Sequence, residues 1–229
     1  MIEFQRYAVY FAPRHGVLAD LAGHWLGRDV ETVATLAQPD LTALPVPLKD
    51  LTTAARRYGF HGTIRAPFRP GPGVSVDAIA DCVADLAARL APVHCDGLQL
   101  ENLQGFLALT PRGCEAALME LGAIVVEATD TLRQPLNAED LARRRPESLS
   151  TRQRALLELW GYPYVMEEFR FHLTLTDRLV AEHLPTVLAA ATAHFAPVTE
   201  HPFAIEDLCL FGEDASGMFH LTHRYALTG

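Results

Sequence analysis

Two short segments of the same pattern, far apart in the chain, most constrain how it can fold. One is Phe-His-Gly-Thr-Ile at 60–64, and the other is Phe-His-Leu-Thr-Leu at 171–175. Alternate side chains of a β-strand point to the same face, so the histidine and threonine of each copy share a face. The four residues are His61 with Thr63, and His172 with Thr174. Two such strands side by side would gather two imidazoles and two hydroxyls around one spot.

The residues that follow each copy repeat as well. Each copy precedes a predicted helix and then a predicted β-hairpin. The two hairpin turns centre near 104 and 215, each 43 residues after the histidine of its own copy. This shared spacing predicts a duplicated α+β chain with approximate halves 1–110 and 111–229.

Hydrophobic periodicity and turn residues predict the other elements. Ser75 and Ser150 are suited to cap the helices that follow them. The proline-rich segment 35–51 and the polar, basic segment 134–150 are predicted loops, and both are candidates for lids over a site. The predicted strands, besides the first motif strand, cover 4–12, 93–102, 105–110, 168–176, 203–212 and 217–226. The predicted helices cover 18–26, 76–90, 114–132, 150–160 and 184–195.

Charge limits the classes of ligand. The formal net charge of −9 argues against a protein that coats long nucleic acid, because such affinity comes mainly from neutralising phosphates. The 18 arginines are nevertheless clustered, with four in 56–69 and seven in 143–178, close to the two motifs. An acidic molecule can therefore hold a locally positive cleft for a small anion. The alternative for most of these arginines is a solvated surface position.

Targeting signals and cysteine pairs are also informative. Residues 1–6 carry charges where a signal peptide would be apolar, and no apolar run approaches the roughly 18 residues of a membrane span. We expect a cytoplasmic protein that has no membrane partner. The four cysteines form no Cys-x-x-Cys pair, so free thiols are expected.

The paired motifs favour phosphate chemistry. Imidazole titrates near neutrality, so one ring can accept a proton from an attacking hydroxyl or water while the other donates one to the leaving oxygen. The threonine hydroxyls can donate to non-bridging phosphate oxygens, and Arg65, two residues beyond Thr63, can add a bidentate grip. Neither a metal nor another cofactor is required. A third His-x-Thr begins at His220, but it falls on the second strand of a hairpin and is interpreted as structural or peripheral.

The two motifs with their flanks, Tyr58-Gly59-Phe60-His61-Gly62-Thr63, 160–165 (Trp-Gly-Tyr-Pro-Tyr-Val) and 169–176, resemble the two-histidine (2H) phosphoesterase superfamily. They are most similar to a bacterial branch named for phosphonate metabolism. The resemblance implies a single bilobed domain over 1–229 with a pseudo-twofold duplication. Each lobe would be an antiparallel sheet with helices packed outside, with strands exchanged between the lobes and the active site in the cleft.

The same resemblance implies residue roles. His61 and His172 would be the acid/base pair, and Thr63 and Thr174 would bind phosphate. Arg65 stands where many relatives would be expected to have lysine, which puts its role as a phosphate clamp in doubt. Substrates in the superfamily are 2′,3′-cyclic nucleotides, RNA ends and other cyclic phosphates. The link to phosphonates suggests a cyclic phosphate of ribose.

Three further residues are predicted to contact the substrate. Tyr10 is preferred over Tyr7, which lies on the opposite face of the first strand. Tyr162 can stack on a base or sugar, and Arg144 can close over an anion. Packing is the alternative for the two tyrosines, and surface solvation is the alternative for the arginine.

The leading functional hypothesis is a metal-independent cyclic phosphodiesterase acting on a small cyclic phosphate, of the ribosyl or the nucleotide 2′,3′ type. One alternative is a non-catalytic binder of phosphorylated sugars or nucleotides. Another is an RNA-end processing or ligase-like enzyme, which the acidic balance disfavours. A metallohydrolase is disfavoured because the sequence has no His-Glu-x-x-His motif. The expected partner is a small anionic substrate that contains phosphate, and the sequence leaves open whether the protein has protein partners.

Overall fold

The computed structural model describes residues 3–229. The strands are β1 (Arg6–Phe11), β2 (Gly62–Phe68), β3 (Val93–Cys95), β4 (Gly97–Leu103), β5 (Phe106–Arg112), β6 (Leu173–Thr174), β7 (Phe203–Ile205), β8 (Asp207–Glu213) and β9 (Phe219–Ala226). The α-helices are α1 (Val17–Leu26), α2 (Leu48–Leu51), α3 (Thr53–Tyr58), α4 (Val76–Arg89), α5 (Glu115–Thr129), α6 (Ala138–Arg143), α7 (Thr151–Trp160) and α8 (Leu184–Thr199).

Seven strands form one antiparallel sheet in the order β4-β5-β6-β2-β1-β8-β9. The hairpin β4–β5 follows the first motif in the chain but pairs with β6, which carries the second motif. The hairpin β8–β9 follows the second motif and lies on the side of β2, separated from it by β1. The two motif strands meet at the sheet centre through the pair Gly62 and Leu173. The predicted α+β class with antiparallel sheets is confirmed.

Helices cover one face of the sheet. Side chains of β1 alternate between two environments, as the period of a strand requires. Val9 and Phe11 belong to the main core, which also holds Trp25, Val83 and Phe195 from the helices. Ala8 and Tyr10 face the other way, into a smaller cluster with aromatic residues of β8 and β9. The motif histidines lie on this second face, away from the main helical layer, because Tyr10 pairs with Thr63 and contacts His61.

A β-bulge interrupts β2 directly after the first motif. Val9 pairs with Arg65, whereas the next residue of β1, Tyr10, pairs with Thr63, so Ile64 is an extra residue in β2. A bulge breaks the alternation of faces. The sequence-based placement of His61, Thr63 and Arg65 on one continuous face was therefore wrong at Arg65.

Helix ends follow the local sequence. The side chain of Ser75 accepts a hydrogen bond from the backbone N–H of Ala78, 3.1 Å away, as predicted. Ser150 and Gln153 form a reciprocal capping box at the start of α7. Gly161 ends that helix with a left-handed backbone, a conformation that glycine adopts without steric cost.

Several predicted boundaries changed. The second motif strand, predicted over 168–176, is regular only at Leu173–Thr174 and follows a 3-10 turn at Met166–Glu168. The strand predicted over 93–102 is divided at Asp96, because β3 pairs with β7 in a separate two-stranded sheet. The predicted loop 134–150 contains α6 and a 3-10 turn at Pro146–Ser148.

Cys95 and Cys114 form a disulfide, with Cα atoms 5.0 Å apart, so the expectation of four free thiols was wrong. The physical cause is the register of the β4–β5 hairpin. Gly97 pairs with Arg112, so Cys95, two residues before Gly97, and Cys114, two residues after Arg112, come close together just outside the hairpin. Cys82 and Cys209 are free.

Across residues 3–229, every helix is too short or too polar to span a lipid bilayer.

Candidate active site

The central strand pair brings the two motifs together. Because β2 and β6 are antiparallel and Gly62 pairs with Leu173, one step along each strand places Thr63 opposite His172 and His61 opposite Thr174. The two histidines are then diagonal neighbours, and residues in this relation lie about 7–8 Å apart. All four side chains are partly exposed. The residues predicted as the acid/base pair and the two hydroxyl donors thus share one site.

Gly62 is required for this close approach. A Cβ atom at this position would lie 2.2 Å from Cζ of Phe171, 2.6 Å from its Cε2 and 2.9 Å from its Cε1. The ring of Phe171 therefore packs directly on the backbone of the first motif. The small residue of one motif and the aromatic residue of the other together set the spacing of the two strands.

Both imidazoles have the same tautomer, fixed by the backbone. Nδ1 of His61 donates to the carbonyl oxygen of Gly59 over 3.0 Å, and Nδ1 of His172 donates to that of Arg170 over 2.7 Å. A carbonyl oxygen only accepts, so in the neutral rings Nδ1 carries the hydrogen and Nε2 carries the lone pair. The hydroxyl of Thr63 lies 3.3 Å from Nε2 of His61. Each motif therefore presents a basic nitrogen.

Burial disfavours the charged form of both rings. It lowers the pKa of His61 to about 4, an effect that nearby His172 and Arg28 reinforce and the Gly59 hydrogen bond opposes. Burial also lowers the pKa of His172, and the bond to Arg170 opposes that shift. Both rings are therefore mainly neutral at pH 7 without a ligand. An anion entering between them would favour protonation.

Aromatic side chains surround the histidines. The ring of Tyr10 lies 4.1 Å from that of His61, and the ring of Tyr58 stacks on His61 at 5.5 Å. Phe106 lies 5.6 Å from His172. Tyr10 is only 1% exposed, and burial raises the pKa of its phenol well above 10, so the hydroxyl stays protonated. Tyr10 is thus placed beside the site, and Tyr58 is a neighbour that the sequence reasoning did not select.

The other predicted contacts lie in an adjoining pocket. Arg65 is 1% exposed and donates to the carbonyl of Trp160 over 3.1 Å. The guanidinium of Arg144 lies 4.7 Å from the ring centre of Tyr162. All three predicted residues, Arg65, Arg144 and Tyr162, line this pocket. The pocket lies along the same central strands as the histidine site, because Arg6 of β1 and Arg65 of β2 both line it.

Arg28 is a second residue that the sequence reasoning missed. It is 3% exposed and donates to the carbonyls of Arg56 and Arg57 at the end of α3, and to that of Phe219. It therefore holds the helix end from which the chain continues into Tyr58 and His61. No motif surrounds Arg28, so its sequence carries no signal of this role.

The third His-x-Thr lies apart from the paired motifs. His220 bonds to a carboxylate oxygen of Asp214 over 2.7 Å and packs against Phe4. Among residues 3–229, no three His, Cys, Asp or Glu side chains are grouped so as to hold a metal ion.

Comparison with known proteins identifies related sequences. Residues 63–220 match the model of a family described as "Protein of unknown function (DUF1045)". Two curated relatives are each named "Ribose 1,5-bisphosphate phosphokinase PhnN". The protein from Janthinobacterium sp. (strain Marseille) is 38% identical over 93% of this chain and 48% of its own length. The protein from Laribacter hongkongensis (strain HLHK9) is 37% identical over 93% and 49%. The chain spans about half the length of these relatives.

Two solved structures have a similar backbone fold. TT0787 of Thermus thermophilus has a TM-score of 0.48 at 14% identity, covering 98% of both chains. E. coli LigT complexed with 3′-AMP has a TM-score of 0.45 at 15% identity, covering 99% of this chain and 100% of its own. Neither likeness assigns a role to a residue of this chain.

Proposed function

Since the chain belongs to the DUF1045 family, whose description names no activity, we propose a function from its site: a metal-independent cyclic phosphodiesterase of the two-histidine type. The observation that carries the proposal is the pair of imidazoles across the β2–β6 pair, each fixed at Nδ1 by a backbone carbonyl. Each ring has its Nε2 available for proton transfer. The hydroxyls of Thr63 and Thr174 can hold the non-bridging oxygens of one phosphate.

In the proposed reaction, a water oxygen attacks phosphorus and one ring ester bond to phosphorus breaks. His61 has the strongly lowered pKa, so it stays unprotonated and accepts the proton from water. His172 is the acid, and its proton is taken up as the negative substrate enters. It donates this proton to the departing sugar oxygen. The product is a phosphomonoester, and proton exchange with solvent restores both rings.

A ribosyl cyclic phosphate is the proposed substrate class. The curated relatives are named for a kinase that acts on a ribose bisphosphate, and this chain matches about half of their length. Hydrolysis of the cyclic phosphate ring on ribose yields a ribose with a phosphomonoester. A ribose phosphomonoester is the class of compound that such a kinase would consume. This chain has no Gly-x-x-x-x-Gly-Lys-Ser/Thr sequence, and its one lysine, Lys49, follows Leu48. Hydrolysis is therefore proposed for this chain, and phosphorylation is not.

The test uses purified protein in EDTA, with ribose 1,2-cyclic phosphate and 2′,3′-cyclic nucleotides followed by phosphorus NMR. We expect hydrolysis of the ribosyl compound and a loss of about 10²–10⁴-fold in kcat for His61→Ala and for His172→Ala. His220→Ala is the matched control and should retain activity. Full activity in either motif variant, or activity found only with added metal, would refute the proposal.

A further inference from the structure

The pocket beside the histidine site is unusually rich in arginine. It lies between β2 and the segment that runs from residue 133 to 162. Tyr162 and Trp160 form part of its wall. Its lining arginines are Arg6, Arg65, Arg69, Arg133, Arg143 and Arg144.

Arg65 is the arginine of this pocket that has a buried donor without a partner. It is 1% exposed, and its Nε has no hydrogen-bond partner within residues 3–229. The rest of its guanidinium makes one bond to the carbonyl of Trp160 and a longer contact of 3.4 Å to Asp130. A buried donor without a partner is costly, and a guanidinium has five N–H groups to satisfy. Arg65 thus has donor capacity that an anionic ligand would use.

The charges around the pocket do not balance. Four carboxylates pair with five of the six guanidiniums, so the six positive charges exceed the four paired negative charges by two. The carboxylates belong to Glu213, Asp130, Asp140 and Glu139. Arg144 has no carboxylate within 4.0 Å in the part of the chain described, and its guanidinium lies over Tyr162. A phosphomonoester carries close to two negative charges at pH 7 and matches this excess.

The position of the pocket fits a substrate with two phosphates. Arg65 follows Thr63 by two residues of β2, which places their Cα atoms at most about 7 Å apart, and the bulge at Ile64 turns the two side chains away from a common face. A pentose with its exocyclic carbon spans a comparable length. We propose that this pocket is a second anion subsite, which binds a distal phosphomonoester of the sugar while the histidines act on the cyclic diester. The inference rests on the proposed function and specifies its substrate as a bisphosphorylated sugar.

The test compares ribose 1,2-cyclic phosphate with the same compound carrying a 5-phosphate. We expect the 5-phosphate to lower KM strongly in the native protein. Arg144→Gln should raise KM for the 5-phosphorylated compound by about tenfold or more, and should raise it much less for the compound without the 5-phosphate. Asp140→Asn removes a negative charge that pairs with Arg69, so it should lower KM for the 5-phosphorylated compound.

Arg152→Gln is the matched control, because Arg152 is an exposed arginine of α7 that pairs with Glu167 outside the pocket. Equal KM for the two compounds in the native protein would overturn the subsite, as would equal effects of Arg144→Gln and Arg152→Gln. Calorimetry with ribose 5-phosphate separates this failure from that of the proposed function. Binding that is weakened by Arg144→Gln, in a protein that hydrolyses neither compound, would support the subsite and refute the phosphodiesterase.

Discussion

Replacing Gly62 by alanine tests whether contact between the two motifs sets the spacing of the site. The added Cβ would lie within 3 Å of three atoms of the Phe171 ring, so the ring or the strand must move. Overpacking of this kind costs about 1–3 kcal/mol. For a domain of this size, each kcal/mol lowers the melting temperature by about 2–4 °C. Phe171 precedes His172, so the shift should also lower kcat by about tenfold to a hundredfold.

The rescue variant makes this prediction specific. Leucine lacks all three of the Phe171 ring atoms that the new Cβ would approach, so Phe171→Leu should relieve the clash. Thermal and urea unfolding of both single variants and the double variant would give their coupling free energy. We expect the double variant to be more stable than the sum of the single effects by about 1–2 kcal/mol.

The control is Gly71→Ala, because a Cβ there would meet its nearest atom at an ordinary distance of 3.5 Å. Its stability should stay within about 0.5 kcal/mol of the native protein. Native stability and activity for Gly62→Ala would refute the argument, and so would strict additivity of the two substitutions.

Three further predictions concern titration, a buried charge and the disulfide. The plot of kcat/KM against pH should be bell-shaped. On the acid side it should fall below about pH 4, as His61 gains a proton. On the alkaline side it should fall as His172 loses its proton, and the pKa of this limb should lie below the usual imidazole value of 6.5. Arg28→Met leaves three carbonyls without their donor and should cost about 3 kcal/mol in urea unfolding. Replacing Cys95 and Cys114 by serine opens a loop with a sequence separation of 19 and should cost about 3 kcal/mol.

Each of these measurements has its own contradicting outcome. A flat pH profile between 4 and 8 would argue against proton transfer by the two imidazoles. Native stability of Arg28→Met would show that the α3 end does not depend on this side chain. Cys82→Ser is the control for the disulfide prediction, because the Cys82 thiol is free. If it lowered stability as much as replacing Cys95 and Cys114, the role of the disulfide would be contradicted.

Local sequence predicted the ends of five helices better than the ends of the strands, although it missed α2, α3 and α6, and α2 lies within the predicted loop 35–51. The caps at Ser75 and Ser150 were predicted correctly, because a cap depends on residues three positions apart. The strand over 168–176 was predicted too long, since only Leu173–Thr174 has regular partners in its neighbours β2 and β5. Strand length depends on the partner, which the local sequence does not contain.

The candidate site divides in the same way. The motif pattern predicted His61, Thr63, His172 and Thr174 as a group, because an alternating pattern in each copy needs only that the two strands meet. The pattern did not predict that Arg65 leaves the strand face of His61 and Thr63, since the bulge at Ile64 arises from pairing with β1. Nor did it identify Arg28, whose partners lie up to 191 residues away.

The amino-acid sequence by itself determined the α+β class, the helix ends and the two histidine motifs, because these follow from short-range periodicity and hydrogen bonding. Only the tertiary structure decided the strand order, the disulfide, the direction of Arg65 and the lowered pKa of both histidines. Register and burial are properties of residues brought together from distant parts of the chain, and they appear only when the strands have paired.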